Sequence, residues 1–339
     1  MDIHTNRPLK NYTTMKLGGS ARFIADIRAA EEIPDLYKKA AAQGLPVAIL
    51  GGGSNTVVRD EGFNGIVMHI RIPGVSILEE DIYSVTFKLG AGEIWDDFVK
   101  KAVEMRLSGV EAMSGIPGTV GAAPVQNVGA YGQELADTFV SLEAYDTQND
   151  QFVTLQADSC HFSYRNSIFR GDEKGRFIIT NVTLKLSKNL PSPPFYDALQ
   201  EYLDKNSIVT FTHQSIRDAV LAIRAEKLPD PTVKPNAGSF FKNAIIDSWL
   251  LPEIQAIEPD APYYDMGNGT YKIPAGWLIE KAGFKGSLIS GIRIHEKNAL
   301  VLINESATSY ADLADVREKI TTEVRTKFRI NLEQEPLEL

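Results

Sequence analysis

A single cysteine among 339 residues, Cys160, cannot close an internal disulfide, so nothing in the chain points to a stapled scaffold. Positive charge is scarce. With 35 Lys and Arg against 44 Asp and Glu the formal net charge is −9, which disfavours a broad phosphate-backbone footprint and argues against nucleic acid as a partner. Long apolar runs are absent too: stretches such as 65–70 and 299–304 fall far short of the roughly 20 residues that a membrane span needs, so no membrane partner is expected. The opening MDIHTNRPLK has no apolar stretch behind its charges, and a cytoplasmic protein is expected. His4, His69, His161, His213 and His295 are scattered, with no second cysteine to join them, so no metal centre is expected. What remains, 43% hydrophobic and 23% charged, is the composition of an ordinary globular chain of two or three domains.

Periodicity then organises the chain. Residues 21–27 read as a strand, 30–44 as a helix ended by Gly44, and 45–50 as a buried strand. The run Gly51-Gly52-Gly53-Ser54-Asn55 that follows is not a Rossmann turn. It lacks the GxGxxG spacing, and the β-branched, turn-rich segment behind it is not an amphipathic helix. A strand is predicted at 84–92, then a helix from about Ile94 to Leu107 with Ile94, Phe98, Ala102 and Met105 on one face. Strands follow at 139–147, 151–156 and 176–186. A helix over 215–227 directs Ile216, Val220 and Ile223 inward, and LPDPTVKP after it predicts a stiff, extended connector at a domain boundary. Beyond lie a helix at 275–283, a strand at 299–305 and a long amphipathic helix opened by the capping-box spacing of Ser309 and Asp312. That helix carries Leu313, Val316, Ile320, Val324 and Phe328 inside. A last strand is expected over 328–339. The class is α+β, in three segments: 1–70, 71–228 and 229–339.

Candidate site residues are few. Between Gly109 and Gly132, six of 24 residues are glycine, and Ile116, Pro117, Val120, Val125, Val128 and Tyr131 are interleaved, unlike a flexible linker. Such a stretch lets backbone approach a ligand closely. From Leu107 to Tyr164 there is no Lys or Arg, so a diphosphate bound here would rest on backbone N–H groups. Arg165 is the next cation; its fork suits a carboxylate, and an ordinary salt bridge fits equally well. Ser239 in NAGSFFKN sits where a tight turn would expose a hydroxyl. It is not in a G-x-S-x-G elbow, and turn chemistry is the commoner role for serine beside glycine. Glu333 and Glu335 lie two apart on a presumed strand, hence on one face, with a solvated strand end as the default reading. Lys227 and Lys234 flank the prolines and would meet phosphate or water.

Seven segments in order carry a resemblance: NYTTMKLGG (11–19), LGGGSN (50–55), SGIPGTVGAAPVQNVGAYG (114–132), YRNSIF (164–169), KLPDP (227–231), NAGSFFKN (236–243) and AGWLIEKAG (275–283). Together they resemble the UDP-N-acetylenolpyruvoylglucosamine reductase family over nearly the whole chain, and the stretches around Tyr196 and Tyr264 are similar to its longer, tyrosine-loop type. The resemblance implies two α/β subdomains of the vanillyl-alcohol-oxidase, PCMH-like FAD-binding fold plus a C-terminal α+β substrate-binding domain, whose final strand, 328–339, returns toward the active site. It implies noncovalent FAD, NADPH as cosubstrate, and reduction of UDP-N-acetylglucosamine enolpyruvate to UDP-N-acetylmuramate in peptidoglycan precursor synthesis. In that chemistry flavin gives hydride to the methylene carbon and the protein supplies a proton to the adjacent carbon.

By the same resemblance Ser239 matches the proton donor, and Arg165 with Glu335 matches the pair stabilising the enolate. Leu50, Gly51, Gly52, Gly53, Ser54, Asn55, Ser114, Gly115, Ile116, Pro117, Gly118, Gly121, Ala122, Gln126, Asn127, Gly129, Ala130, Tyr131 and Ile178 match cofactor contacts. Tyr196, Arg224, Lys227, Gly238, Asn243 and Tyr264 match substrate contacts. The tail reads LEQEP where the family pattern has LEPEV, and register from Leu332 selects Glu335 over Glu333. The expected partners are small molecules and the expected state is a monomer. The alternatives are an FAD oxidase of the same fold and a nucleotide-sugar-binding flavoprotein without turnover.

Overall fold

The alternation at the start of the chain builds a four-stranded sheet. In the computed structural model, which describes residues 2–339, strands Asp2–Pro8, Ser20–Ile27, Phe63–Ile70 and Val47–Leu50 lie side by side in that order. Phe63–Ile70 is parallel to both Ser20–Ile27 and Val47–Leu50. Parallel strands cannot be joined by a tight turn, and helix Glu32–Ala42 makes the crossover, burying Ile33, Leu36 and Ala40.

The chain forms two compact units and passes between them repeatedly. One holds the residues up to Arg7, Ala21–Gly52 and Phe63–Ala225; the other holds Pro8–Ser20, Gly53–Gly62 and Glu226–Leu339. The first unit adds an antiparallel five-stranded sheet in the order Gln151–Gln156, Phe139–Asp146, Phe177–Ser187, Ser84–Gly90, Val75–Glu80. One core serves both sheets: Ile33 and Met68 belong to the same buried cluster as Phe87, Trp95, Leu142 and Val182. A satellite cluster joins Leu199 and Leu203 of helix Asp197–Lys205 to Ile216, Val220 and Ile223 of helix His213–Lys227.

Three sequence expectations need correction. The helix predicted from Ile94 spans Trp95–Glu104, leaving Ile94 and Met105 exposed. Starting one residue later puts the larger Trp95 on the inner stripe with Phe98, Val99, Ala102 and Val103. The connector after residue 227 is not extended throughout. The Asp230 carbonyl accepts from the Val233 and Lys234 amides, and its carboxylate accepts from Thr232 N, so aspartate turn chemistry overrides proline stiffness.

The third correction is the tail. Only Leu337–Glu338 forms a strand, parallel to Thr56–Val57. Before it, Gln334 bridges to Phe241. Pro336 has no N–H to continue a ladder, and the tail changes partner there.

The second unit otherwise holds an antiparallel sheet ordered Asn236–Ser239, Val301–Asn304, Ile292–Ile294, Leu288–Ile289. A smaller sheet is ordered Ala244–Asp247, Thr270–Ile273, Tyr264–Asp265. Helix Tyr310–Phe328 begins at Ser309, whose hydroxyl accepts from Asp312 N while the Asp312 carboxylate accepts from Ser309 N. Its buried residues are Leu313, Val316, Ile320, Val324 and Phe328, the five that the 3.6-residue period selects.

Candidate active site

In the first unit, the glycine run and the 114–132 loop meet backbone to backbone. A Cβ on Gly51 would lie 2.6 Å from Thr119 Oγ1, and one on Gly52 would lie 2.9 Å from Gly118 Cα. The loop is seated by Trp95 N donating to Gly118 O at 3.1 Å, Val120 N to Glu93 O at 2.8 Å and Gly121 N to Ala91 O at 2.9 Å. Thr119 Oγ1 is buried with no hydrogen-bond partner, which is costly unless a ligand group meets it. A close-packed glycine pair beside an unsatisfied hydroxyl fits a cofactor diphosphate, where any side chain would intrude. Neither Thr119 nor Thr13, whose buried hydroxyl also lacks a partner in the second unit, was singled out from sequence. Their position inside two of the matched segments was the available signal.

The 107–164 stretch carries no cation, yet the fold delivers arginines from elsewhere to its glycine-rich part. Arg224 Nη2 donates to Gly115 O at 3.0 Å, Arg165 Nη2 to Gly129 O at 2.8 Å, and Arg170 Nη1 to Gln126 Oε1 at 3.1 Å. Arg165 adopts a left-handed backbone, φ 52°, in a turn closed by reciprocal bonds between Ser163 and Asn166. The turn is tied to the glycine-rich loop where Ser167 Oγ donates to Val125 O and Asn127 Nδ2 to Ser163 O. Burial pushes the Arg224 guanidinium down from its usual value. The remaining first-unit residues are placed less directly. Ser114 donates its hydroxyl to Glu111 O, and Ile178 is buried in the core of the first unit. Tyr131 packs edge-on against the exposed Tyr196, and burial raises its phenol pKa. Leu50 is buried.

In the second unit the structure brings Ser239 and Glu335 together. Asn236 is buried and its Oδ1 accepts from Gly238 N at 2.8 Å, folding the turn that presents Ser239. Gly238 has φ 71° with open space around its missing Cβ, so glycine is needed there for conformation and not for room. Glu335 N donates to Phe240 O, the carbonyl next to Ser239, and Lys242 N donates to Glu333 O. The two glutamates, expected on one face, differ. Glu335 is 8% exposed, whereas the Glu333 side chain is 70% exposed and pairs with Lys242 at 3.0 Å. Asn55 flanks the same tail: its carbonyl accepts from Leu337 N at 2.9 Å and its Nδ2 lies 3.5 Å from Glu335 O. Gly53 packs against Tyr12 O and Thr13. Asn243 Oδ1 accepts from Ala275 N at 3.0 Å, capping helix Ala275–Lys281, which leaves its NH₂ for a ligand. Tyr264 is exposed with Lys272 Nζ 5.3 Å from its ring, and Lys227 is exposed at a helix end.

Arg165, Tyr196 and Arg224 thus belong to the first unit, and Lys227, Gly238, Ser239, Asn243, Tyr264 and Glu335 to the second. Among the described residues no group of three or more His, Cys, Asp or Glu side chains is placed to hold a metal, and no helix is long and apolar enough to cross a membrane.

The family model of the UDP-N-acetylenolpyruvoylglucosamine reductase C-terminal domain matches residues 230–338, and that of an FAD binding domain matches residues 21–155. The chain is 40% identical over 335 residues to the UDP-N-acetylenolpyruvoylglucosamine reductase of Ralstonia nicotianae, covering 97% of each. It is 37% identical over 336 residues to that of Pseudomonas aeruginosa, covering 99% of this chain and 98% of the relative. The solved UDP-N-acetylenolpyruvylglucosamine reductase from Thermus caldophilus shares the fold, with a TM-score of 0.69 at 23% identity over 100% of this chain and 99% of that one.

Proposed function

The chain belongs to the UDP-N-acetylenolpyruvoylglucosamine reductase family, and from that premise we propose the residue roles by which it works. Its fold is the α+β, PCMH-like FAD-binding type with a C-terminal α+β domain. It is an FAD-dependent oxidoreductase that uses NADPH to reduce UDP-N-acetylglucosamine enolpyruvate in peptidoglycan precursor synthesis. Its substrates are small molecules, and we read it as a cytoplasmic monomer.

FAD, when bound, would supply the hydride for the enolpyruvyl methylene carbon. Gly51, Gly52, Gly118 and Thr119 hold its diphosphate by backbone approach and one hydroxyl. Hydride addition leaves a carbanion α to the carboxylate, delocalised into it as an enolate, so the protein must meet growing negative charge and then protonate that carbon. Ser239 delivers that proton: an enolate carbon is basic enough to take it from a hydroxyl held in place. Glu335, buried and bonded through its backbone to the residue after Ser239, is the acid that polarises this step. Arg165 offers its guanidinium fork to the carboxylate. Arg224, Lys227 and the Asn243 NH₂ serve the UDP moiety, with Tyr196 and Tyr264 as aromatic walls. The observation that carries the assignment is the contrast between the two tail glutamates, one buried beside the Ser239 strand and the other at the surface in an ion pair.

The test is anaerobic and spectroscopic. Flavin absorbance should bleach with NADPH and return on adding UDP-N-acetylglucosamine enolpyruvate. Ser239→Ala should bleach normally and fail to return. Return only with oxygen would instead identify an oxidase of this fold, and a Ser239→Ala enzyme that recovers at the normal rate would remove Ser239 from the chemistry.

A further inference from the structure

Helix His213–Lys227 carries two arginines seven residues apart, hence two turns apart on one stripe, with Leu221 between them. Both act on Gly115, a residue in the left-handed region at φ 72°. Arg224 donates to its carbonyl at 3.0 Å. Its N–H donates to Asp96 Oδ1 at 2.6 Å, and that same carboxylate is forked by Arg217, with Nη1 to Oδ1 at 2.7 Å and Nη2 to Oδ2 at 2.8 Å. The two peptide groups flanking Gly115 are thereby tied to one helix, the second directly and the first through Asp96. A Cβ on Gly115 would lie 2.9 Å from Leu221 Cδ2 and 3.1 Å from Arg224 Nε, so the stripe sits directly on the loop.

The two cations are treated differently. Arg217 is 7% exposed and its charge is matched by Asp96. Among the described residues Arg224 hydrogen-bonds a carbonyl and forms no ion pair. A guanidinium remains protonated in proteins, and Asp96, the carboxylate that acts on Arg224 through space, is already forked by Arg217, so a substrate anion is the partner that would complete it.

We propose that Arg217 and Asp96 are a positioning pair: they fix the Gly115 N–H, and so set the loop carbonyl on which Arg224 rests and keep Arg224 aimed for an anionic phosphate of the substrate. This rests on the reading of Arg224 and the 114–132 loop under Proposed function. Neither residue of the pair touches the reacting atoms. Their sequence signal is weak, because 121 residues separate them.

The test compares Arg217→Met, Asp96→Asn and Arg217→Lys with the wild-type holoenzyme. The readouts are KM for UDP-N-acetylglucosamine enolpyruvate, kcat, the FAD dissociation constant of flavin-stripped protein, and Tm. The first two variants are expected to raise that KM about tenfold or more with kcat within about threefold, since binding and not chemistry is lost. They should also weaken FAD several-fold, and their double variant should be no worse than either single, as for groups acting as one unit. Arg217→Lys keeps charge and stem but not the fork, and should fall between; as the mildest change it carries the test should the other two fail to fold. A lower Tm with KM and FAD affinity unchanged would overturn the proposal, as would a fully wild-type Arg217→Lys. Should wild-type protein fail to turn over the UDP-sugar, the functional reading falls, and the FAD titration alone still decides whether the pair positions the loop.

Discussion

Gly52→Ala puts the backbone cradle to its sharpest test. The added Cβ would stand 2.9 Å from Gly118 Cα and 3.4 Å from its carbonyl carbon. Carbon pairs settle at about 3.5–4.0 Å, so the two segments must part by at least roughly 0.6 Å. The obstacle is backbone on the far side, and Gly118, at φ 118°, has no side chain to rotate away. Gly52 itself lies outside the left-handed region, so the cost is contact and not conformation. Overpacking of this kind costs about 1–3 kcal/mol. At about 1.4 kcal/mol per decade that is roughly a five-fold to 150-fold loss of FAD affinity where the flavin-free loop relaxes and the loaded one cannot. Titration of flavin-stripped protein, followed by flavin fluorescence, measures it, with Tm recorded with and without FAD. A Gly52→Ala protein with wild-type FAD affinity and wild-type Tm would refute the claim that close approach demands glycine here.

Gly238→Ala should act differently: space is open, so the left-handed strain of about 1–2 kcal/mol should displace Ser239 and slow flavin reoxidation by substrate, with FAD affinity unchanged in the same titration. Glu338 accepts from Arg59 Nε at 2.6 Å, from Arg317 Nη1 at 3.0 Å and from the Tyr310 hydroxyl, latching the tail three residues past Glu335. Burial pushes its pKa up, but these bonds outweigh that and hold it below the usual 4.5. A depressed pKa stabilises fully above the unfolded value and is lost as pH falls through the folded one. Acid unfolding monitored by circular dichroism should therefore steepen below about pH 4.5 in wild type and flatten in Glu338→Gln. Cys160 is wholly buried and its thiol is pushed up to about 12, so Ellman's reagent at pH 8 should leave it unmodified until denaturant is added.

Local pattern was enough wherever neighbours in sequence are neighbours in space. The helix from Tyr310 to Phe328 was legible down to its five buried residues, because a 3.6-residue period and a capping box are both short-range. The glycine-rich loop was legible as a place for backbone approach, since composition alone removes the side chains. Where distant segments compete, pattern failed. Helix Asp197–Lys205 follows a proline-rich lead and is held by Ile216 and Val220 from another helix, so its own sequence did not announce it. Glu333 and Glu335 are equivalent by strand alternation. Pairing of the tail with residues 240–242, a change of partner at Pro336 and an ion pair to Lys242 made one buried and one exposed. The cation-free loop also acquired its arginines from segments remote in sequence. Residue order therefore decided which elements form and which stretches can approach a ligand, because those depend on local periods and on side-chain size. Tertiary structure decided which charges are matched, which are left for a ligand and which acid is desolvated, because each depends on partners far away along the chain.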